Sequence, residues 1–267
     1  MLRVAGVALG GGLILLLGLP ILSLVLRVPP GTLLARLGEP LILQALRLSL
    51  LTSLASTVMV VLLGLPVAFL LATSEFRGKR VLEAFIDLPM VLPPTVAGVA
   101  LLTAFGRAGL AGRALGAVGI SLPFTTLGVV VAQSFVAAPF FVAAARAGFA
   151  EVDRKYLDAA ATLRAPPGYA FLSVMAPLAA PALLAGAAMS WARALGEFGA
   201  TITFAGNMPG ITQTMPLAVY LALQTDLEAA IALSVLLLVV SLAVLLSIRL
   251  SPWRLAALAA RARRPTG

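Results

Sequence analysis

Cysteine and histidine are both absent from this chain of 267 residues. Their absence excludes disulfide bonds, metal sites built on thiolate or imidazole, thiol nucleophiles and histidine general bases. Charged side chains are also scarce, at 11% of the sequence, whereas a soluble domain carries about 25%. An enzyme that combines an acid, a base and a nucleophile at one site is therefore disfavoured.

Apolar residues make up most of what is present. They account for 61% of the chain, and the mean hydropathy is +1.08. An α-helix needs about 20 apolar residues to cross a hydrocarbon core of about 30 Å, and the uncharged runs approach or exceed that length. We predict one all-α, polytopic transmembrane domain over residues 1–267, with six spans at about 4–26, 48–73, 87–105, 122–145, 178–200 and 229–248.

The first of these runs is longer than the apolar region of a signal peptide, about 7 to 15 residues, so we expect it to be retained as a span. The net charge is +9, but the cations flank the apolar runs and do not form one face. That placement indicates membrane topology, with no role in binding nucleic acid. Most of the 19 Lys and Arg residues lie on one side when segment 151–177 and both termini are placed in the cytoplasm.

Segment 151–177 is the stretch between spans where charges of both signs gather. Its apolar positions recur at helical spacing, opposite Asp153, Lys155 and Asp158. Pro166 disfavours an α conformation at the residue before it, so the helix is expected to end near Arg164. An ordinary amphipathic helix lying on the membrane surface is the alternative interpretation.

The same segment resembles the cytoplasmic coupling motif of ABC-importer permeases. The register is kept by Asp158-Ala159-Ala160, by Arg164, and by Val174 with Pro177, while Asp158, Arg164 and Ala176 replace the Glu, Gly and Leu of the motif. Glycine allows a left-handed turn that arginine tolerates poorly, so Pro166 and Pro167 are expected to supply the break. The resemblance implies that the ATPase-coupling residues are Tyr156, Asp158, Ala159, Ala160, Leu163, Arg164 and Ala165.

A nucleotide-binding loop is not found in the sequence. Gly78 and Lys79 stand together, but Arg80 follows where the phosphate-binding motif requires Ser or Thr. The chain is therefore not expected to hydrolyse ATP or to bind a cofactor itself. If it pumps, a partner ATPase that uses ATP and Mg²⁺ supplies the energy.

A second informative stretch, WARALGEFGATITF, closes span five. Arg193 and Glu197 are four residues apart, hence on one helix face, and an isolated charge at membrane depth costs about 3 kcal/mol. The two are expected to pair or to face a wet cavity, either as a structural ion pair or in gating and anion passage. Thr201 and Thr203 offer hydroxyl donors to an oxyanion.

Two further patterns leave alternatives open. Pro93 and Pro94, in the expected third span, indicate either a kink between packed helices or a gate. The hydroxyl residues near the start of the second span either bond their own helix backbone or line a path. These residues are Ser49, Thr52, Ser53, Ser56 and Thr57.

The segments ARALGEFGATITFAGN, PGITQTMPLAVY and LPMVLPPTVAG are similar to the molybdate branch of ABC permeases. Sulfate permeases share the ARA-x-GE-(F/Y)-G core, so sulfate or another oxyanion is the alternative cargo. The resemblance implies a homodimer in a prokaryotic cytoplasmic (inner) membrane, two cytoplasmic ABC ATPase subunits, and an extracytoplasmic binding protein that delivers molybdate or tungstate. A self-sufficient secondary transporter or channel is the alternative from another class, and it predicts charged relay residues deep in several spans.

Overall fold

The computed structural model describes residues 2–29, 31, 33 and 38–249, and these form helices joined by turns, with no β-strand among them. The helices are α1 Leu2–Leu26, α2 Pro40–Thr73, α3 Lys79–Val91, α4 Pro94–Phe105, α5 Gly112–Ala117, α6 Thr126–Ala150, α7 Arg154–Thr162, α8 Pro167–Ala170, α9 Ala176–Leu195, α10 Gly199–Phe204, α11 Met215–Thr225 and α12 Leu227–Arg249. A π-helical turn, Phe171–Met175, joins α8 to α9.

Five helical stretches in the described residues are long and apolar enough to cross a membrane. They are 9–26, 40–73, 126–150, 168–195 and 227–247. The bent pair α3 and α4 raises the number to six if it counts as one span. The predicted class, an all-α polytopic membrane protein, is confirmed.

The third predicted span, about 87–105, is divided between two helices. In the structure α3 begins at Lys79 and ends at Val91, α4 begins at Pro94, and the two are bent by 117°. Pro93 has no backbone N–H, and Pro94 disfavours an α conformation at the residue before it, so hydrogen bonding cannot continue through this point. The prolines therefore break the helix, and their role in a gate stays a prediction.

The fifth predicted span, 178–200, also differs from the structure. Helix α9 ends at Leu195, and α10 is separate and begins at Gly199. At the other end, the π turn continues the helical path back towards Phe171. A π turn contains one residue more than an α turn. Hydropathy did not predict it, because the run remains apolar on average whether or not the extra residue is present.

Helices α2, α6 and α9 pack together as the centre of the molecule. Small residues allow their backbones to approach, since a Cβ added at Gly148 would stand 2.4 Å from the Cβ of Ala182. The hydroxyl of Thr52 donates to Leu48 O at 2.8 Å, and that of Thr57 donates to Ser53 O at 2.8 Å. Thr52 and Thr57 thus bond their own helix, as one interpretation expected, whereas the hydroxyl of Ser56 also donates to Val130 O of α6 at 3.0 Å and that of Ser49 accepts the N–H of Met215 at 2.6 Å.

Candidate functional site

Helix α7, in the segment predicted to couple to an ATPase, is capped at its beginning by Asp153. The Asp153 carboxylate accepts the backbone N–H of Lys155 at 3.0 Å, and its other oxygen lies 2.6 Å from Lys155 Nζ. The hydrogen bond from the Lys155 side chain, followed by that from its backbone, lowers the pKa of Asp153 below its ordinary value. A negative charge here also interacts favourably with the N-terminal end of the helix dipole.

The end of α7 contradicts the expectation that prolines supply the break. Arg164 itself is left-handed, with φ of 55°. Its N–H donates to Ala161 O at 2.9 Å, and the N–H of Ala165 donates to Ala160 O at 3.0 Å. This hydrogen-bond pair is the Schellman arrangement, which usually places glycine at the left-handed position. Arginine therefore adopts the conformation that the glycine of the motif adopts easily.

The coupling residues are brought together around one shallow groove between α7 and α8. Six of the seven line it, namely Tyr156, Ala159, Ala160, Leu163, Arg164 and Ala165. Leu163 is 83% exposed, and Asp158 lies outside the groove on the exposed side of the helix. An apolar groove with an exposed leucine beside it fits contact with another protein or with the membrane surface.

The predicted pairing of Arg193 with Glu197 is present. Arg193 Nη2 lies 2.6 Å from Glu197 Oε2, and the side chain of Glu197 is only 1% exposed. The second carboxylate oxygen of Glu197 accepts the N–H of Ala200 at 2.8 Å, in the first turn of α10. One buried carboxylate thus joins the end of α9 to the beginning of α10.

The two threonines that follow do not face a common cavity in this structure. Thr201 is fully buried, and its hydroxyl finds no hydrogen-bond partner among the described residues. The hydroxyl of Thr203 donates to Gly199 O at 2.8 Å, within its own helix. Their contact with an oxyanion stays a prediction.

Helices α4 and α10 are held against each other by two glycines that sequence reasoning did not single out. A Cβ at Gly98 would stand 2.5 Å from Thr203 Cβ, and a Cβ at Gly199 would stand 2.7 Å from Pro94 Cβ. The structure therefore brings the predicted gate residues Pro94 and Thr203 into one layer. The signal available in the sequence was the pair of small-residue patterns PTVAG and GEFGA.

An ion pair at the other end of the molecule was also not predicted. Arg146 Nη1 of α6 lies 2.7 Å from Glu83 Oε1 of α3. The two residues are far apart in sequence, so no local spacing indicates their contact. The pair fixes the beginning of α3 near the end of α6 that leads into α7.

Solved structures with this fold exist. A bacterial ABC transporter involved in the import of the acidic polysaccharide alginate has a chain that superimposes with a TM-score of 0.73, covering 93% of both chains at 13% identity. The two chains therefore share one fold. A family model described as "binding-protein-dependent transport system inner membrane component" matches residues 61–255. The chain belongs to this family.

Curated relatives cover most of the chain. The molybdenum transport system permease protein ModB of Mycobacterium tuberculosis is 46% identical over 235 residues, which is 88% of this chain and 89% of the relative. The sulfate transport system permease protein CysT of Escherichia coli K12 is 36% identical over 211 residues, covering 79% of this chain and 76% of the relative.

Proposed function

We propose that this chain is the membrane-spanning permease subunit of an ATP-driven importer of molybdate. The observation that carries the proposal is the 46% identity to a molybdenum permease over nearly the whole of both chains. The exposed groove on α7 and α8 supports it, because a permease that does not bind ATP needs a surface on which an ATPase can act.

The partners follow from the same reasoning. Two cytoplasmic ABC ATPase subunits, which bind ATP and Mg²⁺, dock on the α7 segments of a homodimer, and an extracytoplasmic binding protein delivers the anion. Both termini then lie in the cytoplasm, on the side that carries most of the cations. Neither cofactor binds to this chain.

The mechanism we propose is alternating access. ATP binding closes the ATPases and draws the two α7 segments together, which opens the path outward. Hydrolysis returns the path to the inward-open state. The layer formed by α4 and α10 is the candidate gate, because its short helices flank the breaks at Pro93 and at Glu197.

Tungstate is proposed as a second cargo, since molybdate and tungstate are tetrahedral dianions of nearly the same size. Sulfate is the competing candidate, and the similarity to a sulfate permease favours testing it. The experiment measures ATP-dependent uptake of labelled molybdate into vesicles that carry this chain, its ATPase and its binding protein, with vesicles lacking only this chain as the control.

Each result has a defined meaning. If uptake depends on this chain and is inhibited by tungstate but not by sulfate, the proposal is supported. If sulfate inhibits the uptake, the assigned cargo becomes sulfate. Anion flux without any ATPase favours a self-sufficient transporter or channel.

Asp158→Lys reverses a charge on the exposed side of α7, so we expect it to reduce both molybdate uptake and co-purification of the ATPase. Normal values of both would exclude Asp158 from coupling.

A further inference from the structure

Three phenylalanine rings meet where the coupling segment joins the long helices. The ring centroids of Phe69 and Phe171 are 5.0 Å apart, those of Phe149 and Phe171 are 5.8 Å apart, and those of Phe69 and Phe149 are 5.9 Å apart. Phe69 belongs to α2, Phe149 to the last turn of α6, and Phe171 to the π turn before α9. We call this set the phenylalanine cluster.

The cluster lies at both ends of the coupling segment. Phe149 precedes α7, and Phe171 follows α8, so both ends of the chain segment between them contact the phenylalanine cluster. Val152 and Leu157, inside the segment, pack against the core that contains Phe149. A displacement of α7 therefore reaches the long helices at one place.

The π turn sets the position of Phe171. The N–H of Ala176 donates to Phe171 O, which closes a turn one residue wider than an α turn. Because successive residues in an α-helix are about 100° apart, the extra residue changes the direction in which Phe171 leaves the helix axis. Met175, at the other end of the turn, is buried in the same core. Single π turns of this kind are frequent at functional sites.

We propose that the phenylalanine cluster is the junction that transmits movement of α7 into α2, α6 and α9, with Phe171 as its central positioning residue. The inference rests on the proposed function, because it takes α7 as the segment on which the ATPase acts. Tilted and edge-to-face ring contacts fix mutual orientation, so the three helix ends move as one unit while the rings stay packed. Loss of the Phe171 ring separates ATP hydrolysis from transport.

The test compares Phe171→Leu with Phe171→Tyr in the assembled complex, using molybdate uptake per ATP hydrolysed. Leucine keeps an apolar side chain without a ring, and tyrosine restores the ring. We expect leucine to lower the uptake ratio by between about 2-fold and about 30-fold, the range for residues that carry coupling between sites, with ATP hydrolysis retained. Tyrosine should restore the ratio. Phe76→Leu, the same change at an exposed phenylalanine outside the cluster, should leave it unchanged.

A second readout does not depend on the cargo. The chain has no cysteine, so single cysteines at Ala161 on α7 and at Ile211 beyond α10 can carry spin labels without labelling elsewhere in this chain. The chain is labelled before the complex is assembled. In the unchanged protein, we expect ATP to alter the distance between the two copies at both positions. In Phe171→Leu, the labels at Ala161 should still respond, and those at Ile211 should not.

The outcomes separate the two proposals. A Phe171→Leu protein whose labels both respond, and whose uptake ratio is unchanged, overturns the junction and leaves the proposed function standing. If the unchanged protein responds to ATP at both labels but does not import molybdate, the assignment of the cargo is refuted. Loss of the Ile211 response in Phe171→Leu would still support the junction. Unchanged protein whose α7 labels do not respond to ATP overturns both.

Discussion

The left-handed residue that ends α7 allows a quantitative prediction. A left-handed conformation costs a non-glycine residue about 1 to 2 kcal/mol, and Arg164 adopts it with φ of 55°. Glycine avoids this cost but loses about 0.5 to 1 kcal/mol of additional backbone entropy on ordering. Taking the middle of each range, Arg164→Gly should therefore stabilise the end of α7 by about 0.75 kcal/mol.

Hydrogen exchange of the amides at this helix end measures the effect. The N–H of Ala165 donates to Ala160 O at 3.0 Å in the cap itself, and the N–H of Leu163 donates to Ala159 O at 3.2 Å in the helical turn beside it. Local opening of this helix end therefore exposes both amides to exchange. Since about 1.4 kcal/mol corresponds to a factor of ten, the substitution should slow exchange by about 3- to 4-fold. Amides in α6 should exchange as before.

Two companion variants separate the backbone effect from the loss of charge. Arg164→Lys keeps the positive charge and the left-handed strain, so its exchange should match that of the parent. Arg164→Val adds β-branching, which makes positive φ more costly, so exchange should be faster. If Arg164→Gly exchanges as fast as the parent, or if Arg164→Lys slows exchange equally, the cap does not limit the stability of this helix end.

Three further predictions concern other sites. Gly98→Ala should destabilise the protein by about 1 to 3 kcal/mol through overpacking against Thr203, whereas Gly116→Ala, with nothing within 4 Å, should not; thermal unfolding in detergent compares them. Glu197→Gln should lower the free energy of unfolding by about 1 to 3 kcal/mol in the same assay. This is less than the loss expected on breaking a fully buried ion pair, because the partner, Arg193, is 28% exposed. The lowered pKa of Asp153 means that its stabilisation of α7 persists above pH of about 4 and is lost as the pH falls further. Asp153→Asn should remove that pH dependence of amide exchange.

Hydropathy was sufficient to predict the helical membrane class, because long uncharged runs have few other stable structures. It was not sufficient where the backbone stops being helical inside an apolar run. The break at Leu92 and Pro93 interrupts a run that remains apolar on either side, and α9 ends at Leu195, before the end predicted for the fifth span. Proline marked the first break in the sequence, but its angle of 117° depends on packing between distant elements.

Local contacts of the candidate sites were predicted better than distant ones. Arg193 and Glu197 are four residues apart, so helix geometry alone places them together. The contact of Glu83 with Arg146 and the meeting of Phe69 with Phe171 join residues that are distant in sequence, and a single sequence holds no periodicity that reveals them. The left-handed Arg164 was missed because propensity favours glycine there, and the surrounding turn overrides propensity.

The positions of the breaks explain how a signal at α7 can reach the candidate gate. Helices α2, α6 and α9 are long and closely packed, so they resist internal deformation and move as a body. Helices α4 and α10 are short and are separated from their neighbours by non-helical residues, which can absorb changes in φ and ψ. Glu197 is bonded to both α9 and α10, so rotation of the rigid body is applied directly to the layer that α10 forms with α4. Because proline fixes φ at Pro93, movement of the gate relative to the long helices is expected to concentrate at Gly196.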